Sequence, residues 1–164
     1  MKGKSRFLAY GAMIAALYVA LTYLQNMLIP DSASFAIQFR ASEALCVLAL
    51  FTPAAIPGLT MGCLLFNISF AGALPLDFLV GSLASLLATA GMYALRKITV
   101  KGYPLPAMLL PGVSNALLVG WELDFYMGGG FWLNALCVAV GELAVMLTLG
   151  TALFYALRSR RIFQ

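Results

Sequence analysis

Seven polar side chains stand in otherwise apolar surroundings: Arg40, Glu43, Asn67, Asp77, Asn115, Asn134 and Glu142. Arg40 and Glu43 lie three residues apart in the stretch Ile37-Gln38-Phe39-Arg40-Ala41-Ser42-Glu43-Ala44-Leu45. A helix beginning near Phe39 sets both on one face. Two readings of the pair are open. It is either a hydrated ion pair of small energetic weight, or a polar lip over a ligand site, since ionisable groups at membrane depth are costly and mark function. Carboxylates accept paired N–H donors, and carboxamides offer one donor edge and one acceptor. Such a set suits recognition of a small hydrogen-bonding molecule. The chain has no histidine, which excludes the usual zinc sites and His-based triads. Cys46, Cys63 and Cys137 are odd in number, lie in apolar runs and have no metal-ligand spacing, so they read as small core side chains. Neither a G-x-x-x-x-G-K-[ST] loop nor a G-x-G-x-x-G fingerprint occurs. No metal or cofactor is expected, and the chain does not hydrolyse ATP itself.

The elements that must position these residues are membrane helices. Of 164 residues, 63% are hydrophobic and 10% charged, against about 25% charged in a soluble domain. The mean hydropathy is +0.96. A net charge of +4, held in a few clusters, does not suggest nucleic-acid binding. The uncharged run over 7–29 is long enough for about 30 Å of hydrocarbon and too long for the apolar core of a cleaved signal peptide. Within it, Ala12, Ala16 and Ala20 fall four apart, as do Gly11 and Ala15. Such a smooth stripe admits a second helix, either inside its own bundle or on a separate protein. Residues 44–71 are apolar but broken by Pro53, Pro57 and Gly58, and read as one kinked span or as two with a turn near 52–58. Further apolar stretches cover 74–95, 105–121 and 131–157. No repeat, linker or second domain is visible, so a single transmembrane domain over 1–164 is expected.

Charge placement decides the number of spans. Two helices within 44–71 give six in all. They place the Lys2-Lys4-Arg6 cluster, the Arg96-Lys97-Lys101 turn and the Arg158-Arg160-Arg161 cluster on one side, so that nine of ten basic residues are cytoplasmic and Arg40 alone is outside. Five helices put the middle cluster on the wrong side. The fold expected is therefore an all-α bundle of six transmembrane helices with both termini cytoplasmic, multi-pass in a cell membrane. Every polar group then receives a depth. Arg40, Glu43 and Asp77 open their helices from outside, and Asn67 and Asn115 lie in outer halves. Trp121, Glu122, Asp124 and Tyr126 line an outer connection, and Trp132 and Asn134 begin the last helix. Glu142 falls about 16 Å further in, near the midplane. Bland readings accompany each: Trp121 and Trp132 as interfacial anchors, Asn67 and Asn115 as helix–helix bonds, Asp77 as a helix cap, Glu142 as a buried protonated acid. Together the residues suggest a polar pocket open outward and closed below by apolar packing.

The patterns I-Q-F-R-x-S-E-A-L, I-P-G-L, G-C-L-L-x-N and L-D-F-L-V-G-S-L-A-S-L-L-A, with Asn115 and the pair Gly141-Glu142, resemble the QueT family over nearly the whole chain. The resemblance implies the substrate-binding S component of an energy-coupling-factor (ECF) transporter importing queuosine precursors, the 7-deazaguanine bases, across the bacterial plasma membrane. It implies capture outside, docking through small residues of the first helix (Ala12, Ala16, Ala20) on a transmembrane coupling subunit, toppling to release inward, and two cytoplasmic ATPases as motors. Glu142 or Glu43 would take the base edge, with Arg40, Asn67, Asp77, Asn115 and Asn134 around it and Trp121, Tyr126 and Trp132 as stacking rings. An S component for another vitamin-like molecule and a stand-alone carrier are the alternatives, although a carrier would usually show an internal repeat. An intramembrane enzyme would need a nucleophile beside a base, and no such pair is evident in sequence.

Cysteine labelling in intact cells tests the topology. Cysteines at Lys2, Lys101 and Arg160 should be protected from an impermeant reagent and those at Ser34 and Gly129 modified; external labelling at Lys101 would overturn the six-helix arrangement.

Overall fold

The computed structural model describes residues 2–30, 39–70 and 72–160. The polar connection 31–38, with Ser34 in it, lies outside the described residues. Those described are helical almost throughout: α1 (Lys2–Leu28), a 3-10 helix (Ala41–Leu50), α2 (Ala55–Ser69), α3 (Asp77–Leu95), α4 (Leu105–Met127), α5 (Phe131–Val145) and α6 (Thr151–Arg160). A π turn, Met146–Gly150, joins α5 to α6. Three stretches are long and apolar enough to cross a membrane: Gly3–Leu28, Asp77–Leu95 and Phe131–Ser159. Sequential helices from α1 to α5 pack side by side, and the 3-10 helix touches every other helical element.

That central element corrects one expectation. The second helix was expected to be α-helical from near Phe39; it is a 3-10 helix beginning at Ala41, with Arg40 extended before it (φ −104, ψ 101). Ser42 to Ala49 are all buried. A 3-10 helix is slimmer and rises about 2.0 Å per residue against 1.5 Å for an α-helix, so ten residues reach about 20 Å instead of 15 Å. A short segment enclosed on all sides gains both reach and clearance. Three residues per turn also stack Glu43, Cys46 and Ala49 in one row. A turn over 51–54 separates this helix from α2, so the apolar run is two elements. Pro57 sits in the first turn of α2, where a missing N–H leaves no bond unmade.

The packing of α1 sorts its small residues into two rows. Ile14, Ala15, Tyr18 and Thr22 are buried, whereas Ala12, Ala16 and Ala20 are exposed on the opposite face. Contact with α2 uses Gly11 and Ala15 against a G-x-x-x-G pair, Gly58 and Gly62. A Cβ on Gly58 would stand 2.7 Å from the Gly11 carbonyl oxygen, and one on Gly62 2.9 Å from Tyr18 Cβ and 3.1 Å from the Ala15 carbonyl oxygen. Small residues here let two backbones approach. One apolar cluster includes Tyr18, Val47, Phe66, Met92, Met108, Met146 and Phe154. A second joins Val80 and Ala84 to Val119, Leu123 and Val138.

Gly62→Val should therefore lower stability by about 1–3 kcal/mol through overpacking, while Ala12→Val on the exposed face should be neutral. Thermal unfolding of both variants in detergent checks this; equal melting temperatures would disprove the close α1–α2 contact.

Candidate functional site

The buried polar residues come from six elements. On the 3-10 helix, Glu43 is 2% exposed. Tyr18 of α1 donates its hydroxyl to Glu43 Oε1 at 2.6 Å, and the Cys46 thiol lies 3.3 Å from Oε2, one 3-10 turn away. Thr22 Oγ1 lies 2.7 Å from both the Tyr18 carbonyl oxygen and Ser42 Oγ. Each hydroxyl carries one hydrogen, so Thr22 donates to the carbonyl and Ser42 donates to Thr22. Gln25 fixes the entry of the segment: its Oε1 accepts from the Ala41 N–H at 2.6 Å and its Nε2 donates to the Phe39 carbonyl. This clamps the backbone on both sides of Arg40.

From there Arg40 meets Asp77, with Nη2 3.4 Å from Oδ2 and both side chains buried. Asp77 opens α3, where a carboxylate complements the helix dipole. Asn67 of α2 donates to the Asp77 carbonyl oxygen at 2.9 Å, tying the two helices together. One turn along α3, Gly81 leaves this cluster room: a Cβ there would stand 2.8 Å from Asn67 Nδ2 and 3.1 Å from Asp77 Oδ1.

α4 and α5 close the ring. Asn115 and Glu122 are two turns apart on α4 and therefore share a face, and both are buried. The sequence placed Glu122 in an outer connection; α4 instead runs on to Met127, and Glu122 is 0% exposed. Glu142 on α5 is buried within Coulombic range of Glu43 and Arg40, and Glu122 within range of Asp77 and Arg40. Among the described residues, one buried guanidinium thus sits in the field of four buried carboxylates. Several atoms of this group have no hydrogen-bond partner: Asn67 Oδ1, Asp77 Oδ1, both oxygens of Glu122, Glu142 Oε2, Ser85 Oγ and Asn115 Nδ2. Buried polar atoms are ordinarily paired with protein or ordered water, and this unpaired set marks the cluster as the candidate site. Five of the seven are carbonyl or carboxyl oxygens, and the carboxyl oxygens among them accept only when ionised.

The remaining expected residues lie elsewhere. Trp121, Tyr126 and Trp132 are 49%, 38% and 79% exposed and are not brought to the cluster. Phe125 stacks on Trp121 and meets Tyr126 edge-on, and Trp132 meets Phe131. Asn134 is buried but donates to the Gly128 carbonyl oxygen at 2.9 Å, while Asp124 Oδ1 accepts from the Gly130 N–H. Together they brace a turn in which Gly128, Gly129 and Gly130 have φ of 72°, 93° and 94°, open to glycine and strained for other residues. Sequence reasoning missed Tyr18, Thr22, Ser42, Gly81, Ser85 and Glu122 as parts of the cluster. The available signals were the 18/22 spacing on α1, the 77/81/85 spacing on α3 and the 115/122 spacing on α4.

Comparison with known families then places the molecule. The model of the QueT transporter family matches residues 8–159. The chain belongs to the QueT transporter family. As a QueT member it is a membrane transport protein. No curated protein and no solved structure matches it.

Tyr18→Phe should cost about 1–3 kcal/mol, because it strips a donor from a buried carboxylate. Chemical or thermal unfolding in detergent reads the loss directly; wild-type stability in this variant would show that Glu43 does not depend on the Tyr18 hydroxyl.

Proposed function

We propose that the protein is the S component of an ECF importer and captures a queuosine precursor, a 7-deazaguanine base, at the outer face of a bacterial plasma membrane. In this reading the chain forms six spans with both termini inside, and the cluster faces outward. The observation that carries the substrate class is the surplus of buried acceptors. A deazaguanine base offers ring N–H and 2-amino donors and a single carbonyl acceptor. Glu142 accepts two donors of the base edge, and Asn115 Nδ2 serves the carbonyl. Glu43 braces the site from below through Tyr18 and Cys46. An aminomethyl arm is cationic, and the Asp77–Glu122 side, where two carboxylates face one guanidinium, favours it. The exposed Ala12/Ala16/Ala20 face supplies a surface smooth enough for a helix of the coupling subunit. That subunit carries two ATPases, so this chain needs no phosphate loop of its own.

Calorimetric titration of the purified protein with 7-deazaguanine, its aminomethyl derivative, guanine and a panel of vitamins tests the reading. Deazaguanines should bind, the aminomethyl form tightest. Glu142→Gln should lose about 1.5–3 kcal/mol of binding, roughly 10- to 150-fold in affinity. Binding of a vitamin with no response to any deazapurine would overturn the substrate class. Unchanged affinity in Glu142→Gln would move base recognition to Glu43 or Asp77.

A further inference from the structure

A separate cavity lies at the opposite end of the bundle. It measures about 280 Å³ and sits between the end of the 3-10 helix (Leu50, Phe51), the α3–α4 turn (Arg96, Gly102) and α6 (Phe154, Arg158). Its wall is apolar, with the Phe51 and Phe154 rings 5.8 Å apart. Its rim is cationic. Arg96 lies 3.7 Å over the Tyr93 ring and donates through Nη1 to the Tyr93 carbonyl. Arg158 donates through Nη1 to the Gly102 carbonyl oxygen at 2.9 Å. A guanidinium has five N–H donors in a planar fork, so each arginine is positioned by one bond and keeps others for a ligand.

Among the described residues, no side-chain carboxylate balances this charge. The acids of the chain are Asp31, Glu43, Asp77, Glu122, Asp124 and Glu142. Of the five described, four belong to the buried cluster and Asp124 to the α4–α5 turn. Lys97 and Lys101 belong to the same turn but do not line the cavity. Next to the rim, Ile98 and Val100 are 54% and 50% exposed, so apolar surface continues out from the cation pair.

We propose that this cavity binds the phosphate of an anionic phospholipid headgroup. The Arg96 and Arg158 forks take the phosphate oxygens, and the acyl chains run over Ile98 and Val100. A free phosphate offers the same charge but leaves the apolar wall and the exposed Ile98 and Val100 without a partner. The basic turn faces the cytoplasm by the positive-inside rule, the leaflet in which anionic lipids attract basic segments.

The test uses the full chain in a neutral detergent, with phosphatidylglycerol, phosphatidylcholine and inorganic phosphate as separate additives. Thermal shift reports binding, and native mass spectrometry counts retained lipid. Phosphatidylglycerol should stabilise saturably with one lipid retained, and phosphatidylcholine should not. The double variant Arg96→Gln/Arg158→Gln should weaken that lipid roughly tenfold or more, while Lys97→Gln/Lys101→Gln keeps it. Arg158→Lys, which preserves charge and removes the fork, should also weaken it and guards against a fold defect in the double variant. An equal shift from inorganic phosphate would overturn the lipid assignment in favour of a soluble phosphate. Equal losses in both double variants would overturn the site in favour of diffuse charge.

Discussion

The buried carboxylate of Glu43 sets the terms for the rest of the bundle. A charge at this depth costs several kcal/mol unless its oxygens are satisfied. The donor for one oxygen comes from Tyr18 on a different helix, so α1 must lie close to the 3-10 segment. That approach is also where Gly58 and Gly62 let α2 press on the same helix. The second oxygen is met from within the segment by Cys46, which the three-residue period brings into line. A bond in the middle of the molecule thus couples helix type, helix spacing and residue size.

Around this satisfied acid lies a set that is unsatisfied. Asp77, Glu122 and Glu142 each present an oxygen without a donor, although Asp77 also faces Arg40. The polar atoms are held in place by structure that does not depend on a ligand: Asn67 pins the start of α3, Gln25 clamps the backbone around Arg40, and Gly81 keeps the space between them. Binding to such a site needs little reordering, so more of the interaction energy appears as affinity.

Much of this was legible in the chain, and the exceptions have physical reasons. Proline and glycine placement left one kinked span or two, and the basic clusters decided for a break between the 3-10 helix and α2. The 3-10 geometry was hidden because a ten-residue apolar stretch gives no basis for choosing a period of 3.0 over 3.6. Glu122 was missed because the first charge after an apolar run reads as its end, although a helix continues wherever its inward face can hold the charge. Placing Glu122 inward also decides Trp121, since neighbours on an α-helix point about 100° apart; one buried implies the other turned outward. Exposed aromatics at a membrane boundary and stacking aromatics in a pocket have the same composition, so Trp132 and Tyr126 could not be assigned from sequence. The small residues of α1 form two rows, and only the packing reveals that Gly11 and Ala15 face α2 while Ala12, Ala16 and Ala20 do not.

The 3-10 helix also behaves as a reading frame. Its side chains stand in straight rows that repeat every third residue, so inserting or deleting one residue between Ser42 and Leu50 rotates everything beyond it by about 120°. Cys46 would leave Glu43, and the small side chains that fit between α1 and α3 would be exchanged for larger ones. A change of three residues keeps the rows aligned but alters the length by about 6 Å, which would misplace either Arg40 at one end or Leu50 at the other. Substitution is therefore the natural mode of variation in this segment, and gaps belong in the connections that flank it.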